Sequence, residues 1–299
     1  MGYSNPAEVF EGLFATLKNS INGWDYFVNW NKVMGQIRHS EIALNTLNYL
    51  VGKNDIREEA VSLLVQHPEV ASVVPAFLAV RGEKIEILQD YTHGKFEYSV
   101  FDFSATLAGW SRSEAERIVE FWERSGFLSL LQDKRIKSLV DYLIGVEVGL
   151  DSNGRKNRGG VAMESIVGHF LHSACNRLGY SSPIQGATSD QVFRTFKKKF
   201  SQDKAGRKVD YVINLPDSER LVLVETNFYS GGGSKLKSTA GEYRELQSLW
   251  RKDGHLFIWI TDGAGWRSAK APLRDAFNDV DHIINLDMIE KGVLDALIS

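Results

Sequence analysis

Two stretches decide how this chain is read: Lys208-Val209-Asp210-Tyr211-Val212-Ile213 and Leu221-Val222-Leu223-Val224-Glu225-Thr226-Asn227-Phe228. Both are rich in β-branched and apolar residues and are separated by the turn signal Pro216-Asp217-Ser218, which predicts a hairpin of strands Val209 to Leu215 and Leu221 to Phe228. Each strand carries one acid. A carboxylate after four apolar residues of a buried strand is costly unless a cation, a donor network or a solvent cleft meets it, and Glu225 stands in that position. Asp210 begins its strand and Glu225 lies toward the end of the antiparallel neighbour, so both reach the same edge of the sheet. Two carboxylates with a carbonyl oxygen nearby form an oxygen-ligand site suited to Mg²⁺. Pairing with a buried arginine, or capping of a strand, is the alternative explanation of the same acids.

Working outward, the pattern alternates in type. A Gly-rich loop, a helix over Glu242 to Trp250, a strand over Leu256 to Thr261, a helix over Ala269 to Phe277, a strand over His282 to Leu286 and a last helix from Met288 follow the hairpin. Upstream, apolar periodicity predicts a helix from Val161 to Leu178 with Glu164 in its first turn. Residues 151–299 are therefore expected to form an α/β domain, a mixed β-sheet flanked by helices. Asp151 to Gly160 contains three glycines and the run Arg155-Lys156-Asn157-Arg158, and reads as a polar connector at the domain boundary. Residues 1–150 read as a mainly helical N-terminal domain, with periodic stretches at Ile42 to Val51 and Ala60 to Val65 and a strand near Phe96 to Phe103. Residues 104–131 resemble a winged-helix segment: a short helix, a second from Ser111 through Glu123, then Ser125-Gly126 and the apolar run Phe127 to Leu131. A DNA-contacting helix and an ordinary helix–turn–strand core both fit it.

Composition narrows the class. The chain has 299 residues, 43% of them hydrophobic and 24% charged, as in ordinary globular proteins and unlike disordered or fibrous ones. Net charge is −3, yet residues 1–150 hold 14 Lys/Arg against 20 Asp/Glu whereas residues 151–210 hold 11 against 5. That locally basic stretch attracts phosphate even on an acidic protein, although a solvated charged face gives the same count. The single cysteine, Cys175, excludes an internal disulfide and a Cys-based zinc cluster. The apolar stretch from Val70 to Val80 is interrupted by Pro75 and too short for a bilayer, and the start of the chain has no basic-then-apolar signal pattern, so a soluble, cytoplasmic protein is expected, with no membrane partner.

An aspartate, about fifteen residues, then Glu-x-Lys across a hairpin is the signature of the PD-(D/E)xK nuclease superfamily, and Asp210 and Glu225 fit it, with Asn227 where the superfamily has lysine. The surrounding sequence is more specific. Gly149-Leu150-Asp151-Ser152-Asn153-Gly154-Arg155-Lys156-Asn157-Arg158, Ala162-Met163-Glu164, Glu225-Thr226-Asn227-Phe228-Tyr229-Ser230-Gly231-Gly232-Gly233-Ser234-Lys235-Leu236 and Trp259-Ile260-Thr261-Asp262-Gly263 resemble the DpnII/MboI family of restriction endonucleases over essentially the whole chain. The resemblance implies a restriction-endonuclease-like core and a homodimer that cuts double-stranded DNA at the palindrome GATC with Mg²⁺, leaves 5′ overhangs, and is paired with a cognate adenine methyltransferase. That family also carries asparagine at the third position. Glu164 matches the acid that many superfamily members add from an upstream helix.

Hydrolysis of a phosphodiester needs an activated water and positive charge against the phosphate oxygens. Asp210 and Glu225 are accordingly expected to hold Mg²⁺, Glu164 to orient a hydrated metal or second ion, and Asn227 to hydrogen-bond the attacking water or a phosphate oxygen. The missing lysine charge is sought in Lys235, Lys208 or a second metal. Arg155, Lys156, Asn157 and Arg158 are candidate DNA contacts, because arginine reads guanine and asparagine reads adenine, although phosphate contact is the commoner role of loop arginines. Ser234 and Lys237 join Lys235 as candidate backbone contacts beside the glycine loop. That loop lacks P-loop spacing, and His169 with His172 lacks the downstream ligands of a zinc motif. A repair nuclease of relaxed specificity and a non-catalytic winged-helix regulator are the alternatives, the second having no use for paired acids at a sheet edge.

Overall fold

The computed structural model describes residues 5–299 apart from 91, 93, 94, 105–108, 134 and 217, and leaves the side chains of residues 155 and 156 undescribed. The chain forms two compact units, one of residues 27–155 and one that joins residues 1–26 to 156–299. In chain order, α1 (Pro6–Ala15) belongs to the second unit; α2 (Trp30–Leu47), α3 (Ile56–Gln66), α4 (Val74–Phe77), the hairpin β1 (Lys84–Asp90) and β2 (Glu97–Asp102), α5 (Arg112–Arg124), α6 (Phe127–Gln132) and α7 (Leu139–Asn153) build the first. This unit is mainly helical, and its core gathers Leu44, Leu64, Val74, Phe103, Trp122 and Phe127. Ser111 starts α5 with a reciprocal capping box to Glu114. The apolar run from Phe127 is a helix, not a strand: Gly126 turns the chain at φ 83°, and Phe127, Leu128 and Leu131 then fall on one buried helical face. Part of the winged-helix-like segment, residues 105–108, lies outside the described residues.

The other unit is a mixed α/β sheet flanked by helices. It continues through α8 (Arg155–Leu178), β3 (Ile184–Ala187), α9 (Ser189–Phe196), β4 (Val209–Asn214), β5 (Leu221–Phe228), α10 (Ser234–Lys252), β6 (Leu256–Asp262), α11 (Lys270–Asp279), β7 (His282–Ile284), α12 (Leu286–Glu290) and α13 (Val293–Ile298). The strand order is β3-β4-β5-β6-β7, antiparallel from β3 to β5 and parallel from β5 to β7. β5 is thus central, and its residues Leu221 to Thr226 are all buried. Phe10 and Leu13 of α1 share this core with Val222, Val224, Ile258 and Ile260. The stretch expected as a polar connector is the end of α7, a break at Gly154 and the start of α8, so Glu164 sits in the third helical turn and not the first; arginine and lysine are good helix formers and carry Gly159 and Gly160 within the helix. α10 also begins two turns before Glu242, and β7 stops at Ile284 because Asn285 caps α12 through the Met288 N–H. Among the described residues no single helix is long and apolar enough to cross a membrane.

Candidate active site

The β4–β5 register pairs Tyr211 with Val224 and Val212 with Leu223. One step further sets Asp210 opposite Glu225, with both side chains on the same face. Asp210 Oδ2 accepts the Thr226 backbone N–H at 2.7 Å and its hydroxyl at 3.1 Å; among the described residues nothing donates to Oδ1. Glu225 is 5% exposed. Its Oε1 accepts Arg207 Nη2 at 3.0 Å and its Oε2 accepts the Tyr243 hydroxyl at 3.2 Å.

Charge is crowded around this pair. Burial lifts the Asp210 carboxyl to about 6, the Thr226 donors opposing it and Glu164 adding repulsion. Burial and then repulsion from Asp210 lift Glu225 to about 8, against the pull of Arg207 and Tyr243. Burial alone would push Arg207 down, but Glu225, Glu242 and Asp203 hold it above its ordinary range. The pair therefore resists full ionisation, a state that an added cation relieves.

The remaining expected residues are spread over several elements. Glu164, on α8, accepts the Tyr211 hydroxyl at its carbonyl, 2.9 Å away, and Gln185 Nε2 at its carboxylate, 3.3 Å away. One turn on, Gly168 lets Tyr211 approach: a Cβ there would lie 2.4 Å from the Tyr211 oxygen. Asn227 follows Glu225 on the same face of β5, half-buried, between Tyr243 and Thr261. Ser234, Lys235 and Lys237 are exposed on the first turn of α10, Lys208 is exposed before β4, and among the described residues no ion pair joins either lysine, 208 or 235, to the acids. Asn157 is exposed, Arg158 donates to the Tyr26 carbonyl at 3.1 Å, and the side chains of Arg155 and Lys156 lie outside the described residues. His169 lies edge-on to Phe170, and among the described residues no three His, Cys, Asp or Glu side chains stand together as a ready-made ion cage.

Sequence reasoning missed Arg207, the cation that reaches Glu225. It is 7% exposed and bonds Glu242 Oε1 at 2.7 Å and Asp203 Oδ2 at 3.1 Å as well. The available signal was the buried acid itself, which requires a donor, and arginine tolerates burial better than the neighbouring lysine. Tyr243, about two turns before Trp250 on α10, was also missed; its ring stands edge-on to Trp259 and Phe257. The glycine loop after β5 is packed against the turn after β6: a Cβ on Gly263, at φ 112°, would lie 2.3 Å from the Tyr229 carbonyl oxygen, and one on Gly265 would lie 2.4 Å from that of Gly231.

A family model for the DpnII restriction endonuclease matches residues 9–296 of the chain. The chain is 40% identical to the type II restriction enzyme MjaIII of Methanocaldococcus jannaschii over 97% of its own length and 99% of the relative's. It is 37% identical to the type II restriction enzyme LlaDCHI of Lactococcus lactis subsp. cremoris, over 95% and 92%, and 34% identical to the type II restriction enzyme DpnII of Streptococcus pneumoniae, over 95% and 96%. No solved structure matches.

Proposed function

The chain belongs to the DpnII restriction endonuclease family, and from that premise we propose that it cuts double-stranded DNA at the palindrome GATC with Mg²⁺, leaving 5′ overhangs. It is a type II restriction endonuclease, a site-specific deoxyribonuclease, and such enzymes act on double-stranded DNA and generally use divalent metal ions. The observation that carries the metal and the site is the placement of Asp210 opposite Glu225 across β4 and β5, a half-buried and a buried acid whose repulsion a cation would relieve. The donor chemistry fits Mg²⁺: all ligands are oxygens, Asp210 Oδ1 is open among the described residues, and the site lies at the end of β5, where open α/β sheets bind ligands.

When bound, the ion supplies positive charge to the phosphate and a water more acidic than bulk. Asp210 and Glu225 would hold it. Thr226 fixes the Asp210 carboxylate through two hydrogen bonds, leaving its other oxygen facing the site. Gln185 steadies Glu164, whose charge adds to the attraction for a hydrated cation. Ser234, Lys235 and Lys237, on the first turn of a helix whose N–H groups favour anions, would grip the DNA backbone, and the basic segment that opens α8, Arg155, Lys156, Asn157 and Arg158, would contact phosphate or bases.

The GATC assignment rests on the family likeness. A palindrome is read by a two-fold pair of identical surfaces, so a homodimer is part of the proposal, as is an adenine methyltransferase that protects host sites. The test incubates the purified protein with unmethylated and adenine-methylated plasmid, with Mg²⁺ or EDTA, and maps the ends. Cleavage of unmethylated DNA alone, at GATC, with 5′ protruding ends and only with Mg²⁺, is expected. Ends at other sequences remove the specificity, and cleavage in EDTA removes the metal.

A further inference from the structure

Asn227 stands where a lysine would supply charge, yet its two amide atoms are engaged in a largely buried chain of hydrogen bonds, Asn227 itself being half-buried. Trp266 Nε1 donates to Thr261 Oγ1 at 2.8 Å, and Thr261 Oγ1 donates to Asn227 Oδ1 at 2.5 Å. Asn227 Nδ2 donates to the Tyr243 hydroxyl at 3.4 Å, and that hydroxyl donates to Glu225 Oε2 at 3.2 Å. The direction of the chain is fixed by chemistry. An indole N–H only donates, so Trp266 occupies a lone pair of Thr261, whose single proton then goes to the one acceptor the described residues offer it, Asn227 Oδ1. The amide is thereby oriented with its NH₂ toward Tyr243, and a carboxylate terminates the chain because it accepts without donating. Trp266 and Thr261 are 0% exposed and Tyr243 is 7% exposed, so water competes little for these bonds. On the opposite side Arg207 holds Oε1 of the same carboxylate.

We propose that Asn227 is a positioning residue: it acts through Tyr243, which with Arg207 fixes the orientation in which the Glu225 carboxylate takes up its divalent cation. Asn227 therefore does not act on the attacking water or on the phosphate. The third position is an amide because the chain requires one group that accepts from Thr261 and donates to Tyr243, which the ammonium of a lysine, having no acceptor, cannot provide. This inference rests on the metal-nuclease reading, and its test separates the two.

The experiment compares the unmodified full-length protein with Asn227→Ala, Tyr243→Phe and the double variant. Mn²⁺ binding is measured in the absence of DNA by the loss of the free-ion electron paramagnetic resonance signal, and cleavage is measured at saturating Mg²⁺. Partners behind metal ligands set affinity by about 10- to 100-fold, so each single variant is expected to bind Mn²⁺ about tenfold more weakly. The double variant should be no weaker than either single one, because both break the same chain, and saturating Mg²⁺ should return most of the cleavage rate. Tyr243→Phe keeps the ring against Phe257 and Trp259, so the comparison does not hang on the folding of Asn227→Ala. Unchanged Mn²⁺ affinity in Asn227→Ala with a rate that saturating Mg²⁺ does not restore, or additive losses in the double variant, overturns the inference and leaves the metal site. Failure of the unmodified protein to bind Mn²⁺, together with cleavage in EDTA, overturns both.

Discussion

Glu225 and Asp262 are buried acids on neighbouring strands of one sheet, 5% and 0% exposed, and their surroundings differ in kind. Asp262 accepts three backbone N–H groups, from Lys18, Gly263 and Leu286, and so ties α1's trailing loop, the β6 turn and the start of α12 together. Its charge is spread over donors that belong to the fold. Glu225 faces Asp210 across the hairpin, and a single arginine and a tyrosine hydroxyl meet it. Burial alone does not mark a site; burial with surplus negative charge does.

The comparison breaks most visibly by removal of the acids. Asp210→Ala or Glu225→Ala is expected to lower cleavage of cognate DNA by about a thousandfold or more, since charge stabilisation at the phosphate is lost, while melting stays cooperative. Either variant cleaving at the full rate would make the pair another Asp262. Conversely, Asp262→Ala strands three backbone N–H groups at once, two of them buried, and should cost about 3–5 kcal/mol, read as a lower urea midpoint, with cleavage retained in proportion to the folded fraction. A stable Asp262→Ala protein without cleavage would reverse the roles.

The strands of this comparison were the most legible part of the sequence. β5 has the bounds its apolar run predicts, and β4 and β6 differ by one residue, because a central strand buried on both faces leaves an uninterrupted hydrophobic signature. β3 was not legible. It has four residues and includes Gly186 at φ 59°, and its place at the sheet edge comes from pairing with β4 rather than from its own pattern. The first two turns of α10 read as loop because Ser234-Lys235-Leu236-Lys237-Ser238-Thr239 is polar; Leu236 and Thr239 bury one narrow face. At the site, Asp210 and Glu225 were readable from their positions in the two strands, and Asn227 from the motif that begins at Glu225. Arg207 and Tyr243 were not, since one precedes its strand and the other comes from a helix eighteen residues after Glu225, and only the folded sheet brings them to the carboxylate.

A subtler difference is in pH. Asp210 titrates near 6 in the folded chain against an ordinary value of 3.8, so the folded state binds this proton more tightly than the unfolded state. Stability in EDTA is therefore full below about pH 4 and falls as pH rises through about 6, with Glu225 extending the decline toward about 8. Asp210→Asn removes the penalty while its amide oxygen still accepts from Thr226. The variant should match the unmodified protein at acidic pH and exceed it near pH 8, by at most about 3 kcal/mol for a two-unit shift. Mg²⁺ should narrow that gap by stabilising only the unmodified protein. Equal melting temperatures at pH 8 in EDTA would show that the pair carries no surplus charge.

The smallest effect separates charge held at the acids from charge held at the DNA backbone. Arg207 is buried against Glu225, whereas Lys235 is exposed on the first turn of α10, which opens at Gly233 with no side-chain cap; Leu236 N–H bonds the Gly233 carbonyl, and the N–H groups of Ser234 and Lys235 before it suit an anion. On the proposed reading, a lysine in that place would contribute to binding through one phosphate and carry no base information. Lys235→Ala should therefore weaken binding to GATC and non-GATC duplexes alike, measured in EDTA, and lower the slope of log affinity against log salt by about one. Cleavage at saturating protein should stay within a few-fold of the unmodified rate. If the rate at saturation instead falls about a hundredfold with binding unchanged, Lys235 touches the reacting phosphate, and the positive charge of this site is divided between Arg207 at the carboxylate and Lys235 at the substrate.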